Sequence, residues 1–146
     1  MEQSIQDFIN CKRIAVVGCS SKGRKFGNSA YKELKQRGYQ VLPVHPTENE
    51  IDGDKCFPNL EALRGKIDAV FISVSSKYVE LILNEAASIG IKNVWIQQGA
   101  ESNQVIDAAN RLGLNFVFKK CILMYAPPVK SLHKFHRSIT NFFGRL

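Results

Sequence analysis

One unit recurs three times along this 146-residue chain: a helical pattern that stops at glycine and passes at once into an apolar, β-rich run. Gly38 precedes Tyr39-Gln40-Val41-Leu42-Pro43-Val44, Gly90 precedes Ile91-Lys92-Asn93-Val94-Trp95-Ile96, and Gly113 precedes Leu114-Asn115-Phe116-Val117-Phe118. Glycine adopts the left-handed backbone that lets a chain leave a helix and turn directly into a strand. Two further runs, Ile14-Ala15-Val16-Val17 and Ile67-Asp68-Ala69-Val70-Phe71-Ile72, bring the strands to five. Strands this apolar are covered on both faces, as in a parallel sheet. The segments between them carry helical stripes such as Val79, Ile82, Leu83 and Ala86, with Ser76 placed to cap that helix. The expected fold is α/β: a Rossmann-like, doubly wound, parallel five-stranded sheet with helices on both faces, most simply in the order 3-2-1-4-5.

The chain has room for one such domain, expected over residues 1–128, and at this length roughly two thirds of the unfolded surface can be buried without disulfides or a metal. Cys11, Cys19, Cys56 and Cys121 form no CxxC pair and no zinc-type spacing, so reduced, buried thiols and no metal are expected. Glu2 and Asp7 precede Lys12-Arg13, which is not the order of a secretory signal, and no uncharged apolar run nears the roughly 18 residues of a membrane span. A cytoplasmic location is expected.

The formal net charge of +7 divides unevenly. Residues 1–118 carry 14 basic and 13 acidic side chains, whereas residues 119–146 hold Lys119, Lys120, Lys130, Lys134, Arg137 and Arg145 with no acid. Within the segment 129–146, Leu132, Phe135, Ile139, Phe142, Phe143 and Leu146 share one arc of a helical wheel, opposite Lys134, Arg137 and Arg145. A basic amphipathic helix is expected there, packed on the domain or across a homodimer. The body of the domain is nearly neutral, which disfavours a nucleic-acid-binding module driven by charge.

In a doubly wound sheet, ligands bind beyond the carboxyl ends of the strands where the winding reverses, here expected between the first and fourth strands. The loop after the first strand, Gly18-Cys19-Ser20-Ser21-Lys22-Gly23-Arg24-Lys25-Phe26-Gly27-Asn28, combines glycines, hydroxyls and three cations with a helix start. Backbone N–H groups at a helix N-terminus, together with Lys or Arg, bind anionic oxygens, so this loop is a candidate phosphate site. Its spacing is neither G-x-G-x-x-G nor a P-loop. After the second strand, where NAD-binding domains carry an acid for the ribose hydroxyls, stands Val44-His45-Pro46-Thr47. A nucleotide with an extra ribose phosphate, as in coenzyme A or NADP, suits this better than NAD.

These residues resemble the family of small, single-domain CoA-binding proteins, similar to the CoA-binding domain of the succinyl-CoA synthetase alpha subunit. The resemblance covers about residues 10–125. It rests on Ile14-Ala15-Val16-Val17-Gly18-Cys19-Ser20 leading to Gly27-Asn28, on Gly38-Tyr39-x-Val41-x-Pro43-Val44-x-Pro46, on Asp68-Ala69-Val70, on Val94-Trp95-Ile96-Gln97-x-Gly99 and on Cys121. It implies a Rossmann-like fold that binds coenzyme A. Gly18, Ser20, Ser21 and Asn28 would line the phosphate turn, Pro46 the ribose side, and Ser73, Val74 and Ser75 the adenine or pantetheine arm, with Gln98 and Gly99 closing the crevice. Two features depart from the family: His45 stands where it more often has a small polar residue such as Asn, and Lys22-Gly23-Arg24-Lys25 is unusually basic.

Nothing like a nucleophile elbow surrounds any Ser or Cys, a pattern that leaves a Ser-His-Asp or Cys-His constellation open, and no counterpart of the phosphorylated-His domain of succinyl-CoA synthetase is expected. The sequence therefore reads as a binding or carrier module for CoA or an acyl-CoA, with an NADP-dependent oxidoreductase or redox sensor as the alternative.

Overall fold

A computed structural model describes residues 1–129. The amphipathic segment expected beyond Pro127-Pro128 falls, from residue 130 onward, outside the described residues. In chain order the elements are α1 (Glu2–Ile9), β1 (Arg13–Val17), α2 (Phe26–Gln36), β2 (Gln40–Val44), β3 (Glu50–Ile51), β4 (Asp54–Lys55), β5 (Ala69–Ile72), α3 (Ser76–Ser88), β6 (Asn93–Gln97), α4 (Asn103–Arg111) and β7 (Asn115–Lys120). Short 3-10 turns follow at Glu61–Leu63 and Ile122–Met124.

The five expected strands form one parallel sheet, β2-β1-β5-β6-β7. Numbered among themselves they run 2-1-3-4-5, which corrects the expected 3-2-1-4-5. The third sheet strand joins the first, with Ile14 opposite Ala69 and Val17 opposite Ile72, while β2 lies on the other side of β1. Pro43 explains why β2 is an edge. Its carbonyl accepts from the Phe57 N–H on the outer side of β2, the side on which its missing N–H would fall. A proline there would leave a gap in an interior ladder and costs nothing at an edge.

Alternate residues of β1 feed two cores. Ile14 and Val16 pack with Tyr31, Leu34, Phe71 and Trp95 under α1 and α2, and Ala15 and Val17 pack with Leu60, Leu63, Ile72 and Leu83 under α3. The α1 helix, which the strand pattern does not announce, is held by Phe8, whose ring meets Trp95 edge-on at 5.4 Å.

Strand–helix alternation fails at one connection. Between β2 and β5 there is no α-helix, only the antiparallel hairpin β3–β4, turned at Asp52-Gly53, and the turn Glu61–Leu63. Pro46, Pro58 and the Asp-Gly pair punctuate this stretch too closely for a helix to propagate. The start of α3 also shifts by one residue: Ser75 occupies the cap position, with no side-chain hydrogen bond, and Ser76 is the first helical residue.

Candidate functional site

Because β1 pairs with both β2 and β5, the winding reverses between the first and third sheet strands, not between the first and fourth as the expected order implied. Gly18 leaves β1 at this point with φ of 135°. A Cβ at Gly18 would lie 2.3 Å from the Ser73 carbonyl oxygen, and one at Gly27 would lie 2.3 Å from the Gly18 carbonyl oxygen. The first turn of α2 and the chain leaving β5 are thus both seated on Gly18. Asn28, buried at the start of α2, closes the loop: Ser20 N–H donates to its Oδ1 at 3.0 Å, and its Nδ2 donates back to the Ser20 carbonyl at 2.8 Å. Lys25 occupies the cap position of α2 without a capping side-chain bond, which leaves first-turn N–H groups available to an anion.

A cleft of about 970 Å³ opens beside this loop. That volume falls within the roughly 300–1,000 Å³ common for small-molecule sites. Seven residues singled out in the sequence border it: Gly18, Cys19 and Lys25 after β1, His45 and Pro46 after β2, and Val74 and Ser75 after β5. Val17 and Val44 end β1 and β2 against it. Its remaining walls come from Pro58-Asn59-Leu60 and from Tyr78, Leu81, Ile82, Asn84 and Glu85 of α3. These were not anticipated. The missing β2–β5 helix accounts for them, since only the 58–63 segment covers the sheet beside α3 and the space between the two stays open. A signal was present: α3 carries two further apolar residues, Tyr78 and Leu81, off its stripe of Val79, Ile82, Leu83 and Ala86. Leu81 is 74% exposed and Tyr78 54%.

Eight candidates do not border the cleft. Ser20 and Asn28 shape the loop, while Ser21, Lys22 and Arg24 project from it, exposed. Ser73 is bound into the sheet, its N–H donating to the Val17 carbonyl at 2.8 Å. The backbone amides of Gln98 and Gly99 are already engaged, the first by the Lys120 carbonyl at 3.3 Å and the second by the Glu101 carboxylate at 3.0 Å.

Two side chains at the cleft are tied to backbone groups. Cys19 is 2% exposed, its thiol donates to the Gly27 carbonyl, and burial, with Cys56 and Asp52 nearby, pushes its pKa up to about 12. It is a neutral thiol at physiological pH. The His45 ring turns Nδ1 toward the backbone N–H groups of Thr47 at 3.1 Å and Glu48 at 3.2 Å, and the His45 backbone N–H donates to the Phe57 carbonyl at 2.9 Å. Behind the loop, Tyr31 is hydrogen-bonded to Asp54, which also takes Lys35 Nζ at 2.6 Å and is held below the usual carboxylate range by these two partners, Lys35 the larger.

A parallel doubly wound sheet with a glycine turn, an uncapped helix start and a cleft at its switch point defines the class of Rossmann-like α/β domains. Within that class the chain belongs to the CoA binding domain family, whose sequence profile matches residues 12–127. It is 29% identical over 126 residues to the alpha subunit of the ADP-forming acetate–CoA ligase II of Pyrococcus furiosus, a match covering 79% of this chain and 28% of the ligase subunit. The chain therefore spans little more than a quarter of that relative. Over 111 residues it is 29% identical to the uncharacterised protein YneT of Bacillus subtilis, covering 76% of this chain and 82% of that protein. A solved structure of a hypothetical protein from Pyrococcus horikoshii superposes with a TM-score of 0.78 at 30% identity, covering 86% of this chain and 89% of that one.

Proposed function

We propose that this protein binds coenzyme A, free or acylated, in the cleft at the β1/β5 switch point. The observation that carries the reading is the convergence of Gly18, Lys25, His45, Pro46, Val74 and Ser75, from three separate loops, on one cleft in a chain of the CoA binding domain family. In this reading the first-turn N–H groups of α2 and the Lys25 ammonium face the diphosphate, where charge-assisted hydrogen bonds are strongest. The apolar walls formed by Pro46, Pro58, Tyr78 and Ile82 take the flat base. The protein's part is to hold and orient the nucleotide, and no bond-making step is assigned to its residues.

Thermal unfolding of the full chain in the presence of CoA, acetyl-CoA, 3′-dephospho-CoA, NAD and NADP tests this. A ligand at 100 times its Kd adds about 2.7 kcal/mol to the folded state. Stabilisation by CoA or acetyl-CoA, with none by NAD or NADP at equal concentration, is the expected result. Stabilisation by NADP without CoA overturns it in favour of the oxidoreductase reading.

A further inference from the structure

Resting on the CoA reading, the inference concerns the residue after β2. A backbone N–H can only donate, so the two N–H groups of Thr47 and Glu48 that meet His45 Nδ1 require that nitrogen to accept. Thr47 Oγ1, 3.4 Å away, can donate to the same nitrogen, and with Nδ1 accepting, the ring carries its proton on Nε2. Nδ1 is turned into the 45–48 turn and His45 borders the cleft, so the ring edge left for a ligand is the one bearing Nε2–H. A carboxylate at this end of the second strand accepts from ribose hydroxyls; an Nε2–H cannot accept and seeks an acceptor instead. Its best partner there is an oxygen of a phosphate on the ribose.

We propose that His45 is the residue by which the cleft distinguishes a ligand whose adenosine ribose is phosphorylated from one whose ribose is bare, by donating from Nε2 to the phosphate.

Titration calorimetry of the full chain with CoA and with 3′-dephospho-CoA tests this in wild type, His45→Ser and His45→Asp. Serine keeps an acceptor for the Thr47 N–H but is too short to reach the ligand, and aspartate keeps the acceptor while replacing the donor by a negative charge. The expected result is a wild-type preference for CoA of about tenfold or more, as one charge-assisted hydrogen bond provides. That preference falls to near unity in His45→Ser and reverses in His45→Asp. Equal loss for both ligands, or an unchanged preference, overturns the proposal while leaving CoA binding intact. Failure of both ligands to bind wild type removes the CoA reading itself. Long-range proton–nitrogen correlation spectra of the unliganded protein give an independent readout. A protonated Nε2 and bare Nδ1 at His45 support the assignment, and the opposite tautomer overturns it whatever the variants' stability.

Discussion

Asn28 and Ser20 are joined twice: the Ser20 N–H donates to Asn28 Oδ1 at 3.0 Å, and Asn28 Nδ2 donates to the Ser20 carbonyl at 2.8 Å. One buried amide therefore does for the glycine loop what a pair of ladder hydrogen bonds does for a hairpin. It ties the residue after the Gly18-Cys19 turn to the first turn of α2 and fixes where Lys25, between them, stands relative to the cleft.

Replacing Asn28 with Ala breaks both bonds and leaves the half-buried Ser20 N–H without its partner, while the Ser20 carbonyl keeps the Gly23 N–H at 3.1 Å. A cost of about 1–3 kcal/mol is expected, because an unsatisfied group loses more than the net value of its bond. Denaturant unfolding measures it. Asn28→Asp keeps the acceptor and loses the donor, so its cost should fall between wild type and Asn28→Ala; a variant as stable as wild type contradicts the closure role.

Gly27→Ala sets two effects against each other. Inside a helix alanine is favoured over glycine by about 1 kcal/mol, yet the added Cβ would stand 2.3 Å from the Gly18 carbonyl oxygen, a backbone atom that cannot swing aside. Overpacking of this kind costs about 1–3 kcal/mol or more, so the steric term prevails and the variant melts lower. Ser29→Ala, at an exposed position of the same helix, is the control and should be neutral or mildly stabilising.

The Cys19 thiol, with its pKa pushed up to about 12, should resist alkylation in the folded protein at pH 8 and react quickly once denatured. Mass spectrometry after timed iodoacetamide treatment checks this. The folded pKa lies above the unfolded one, near about 8.5, so the stability linked to this group is fully present below that pH and declines as pH rises toward the folded value.

The carboxyl of Asp68 is held below the usual carboxylate range, chiefly by hydrogen bonds from the Arg13 guanidinium at 2.7 and 3.0 Å. Here the folded pKa lies below the unfolded one, so the contribution is present above about pH 4 and lost as pH falls through the folded value. The pair is over a third exposed, which limits its worth to about 1 kcal/mol or less. Asp68→Asn should unfold slightly more easily than wild type at pH 7, with the two acid-unfolding curves converging below about pH 4.

The strands and the glycine loop were legible because each depends on local pattern: five apolar runs, a glycine before three of them, and a loop of glycines, hydroxyls and cations after the first strand. The strand order was legible in principle at Pro43, whose missing N–H marks β2 as an edge, and was misassigned by taking the simplest winding. Pro58, Asn59 and Leu60 escaped notice because nothing local says that the segment they belong to replaces a helix. The resemblance implied Gln98 and Gly99 at the crevice; in the structure their backbone amides are bound by the Lys120 carbonyl and the Glu101 carboxylate, the first a partner distant in the chain and the second held in a turn.

By itself, then, the sequence determined an α/β domain with a parallel sheet and a basic glycine turn after its first strand, since periodicity, glycine conformation and charge act over a few residues. Only the tertiary structure decided which strands are neighbours, that the cleft lies against Tyr78 and Leu81 of α3, and that His45 borders it with Nδ1 turned into the 45–48 turn. Those outcomes depend on pairing and closure between segments far apart in the chain, where the deciding energies belong to contacts and not to residues.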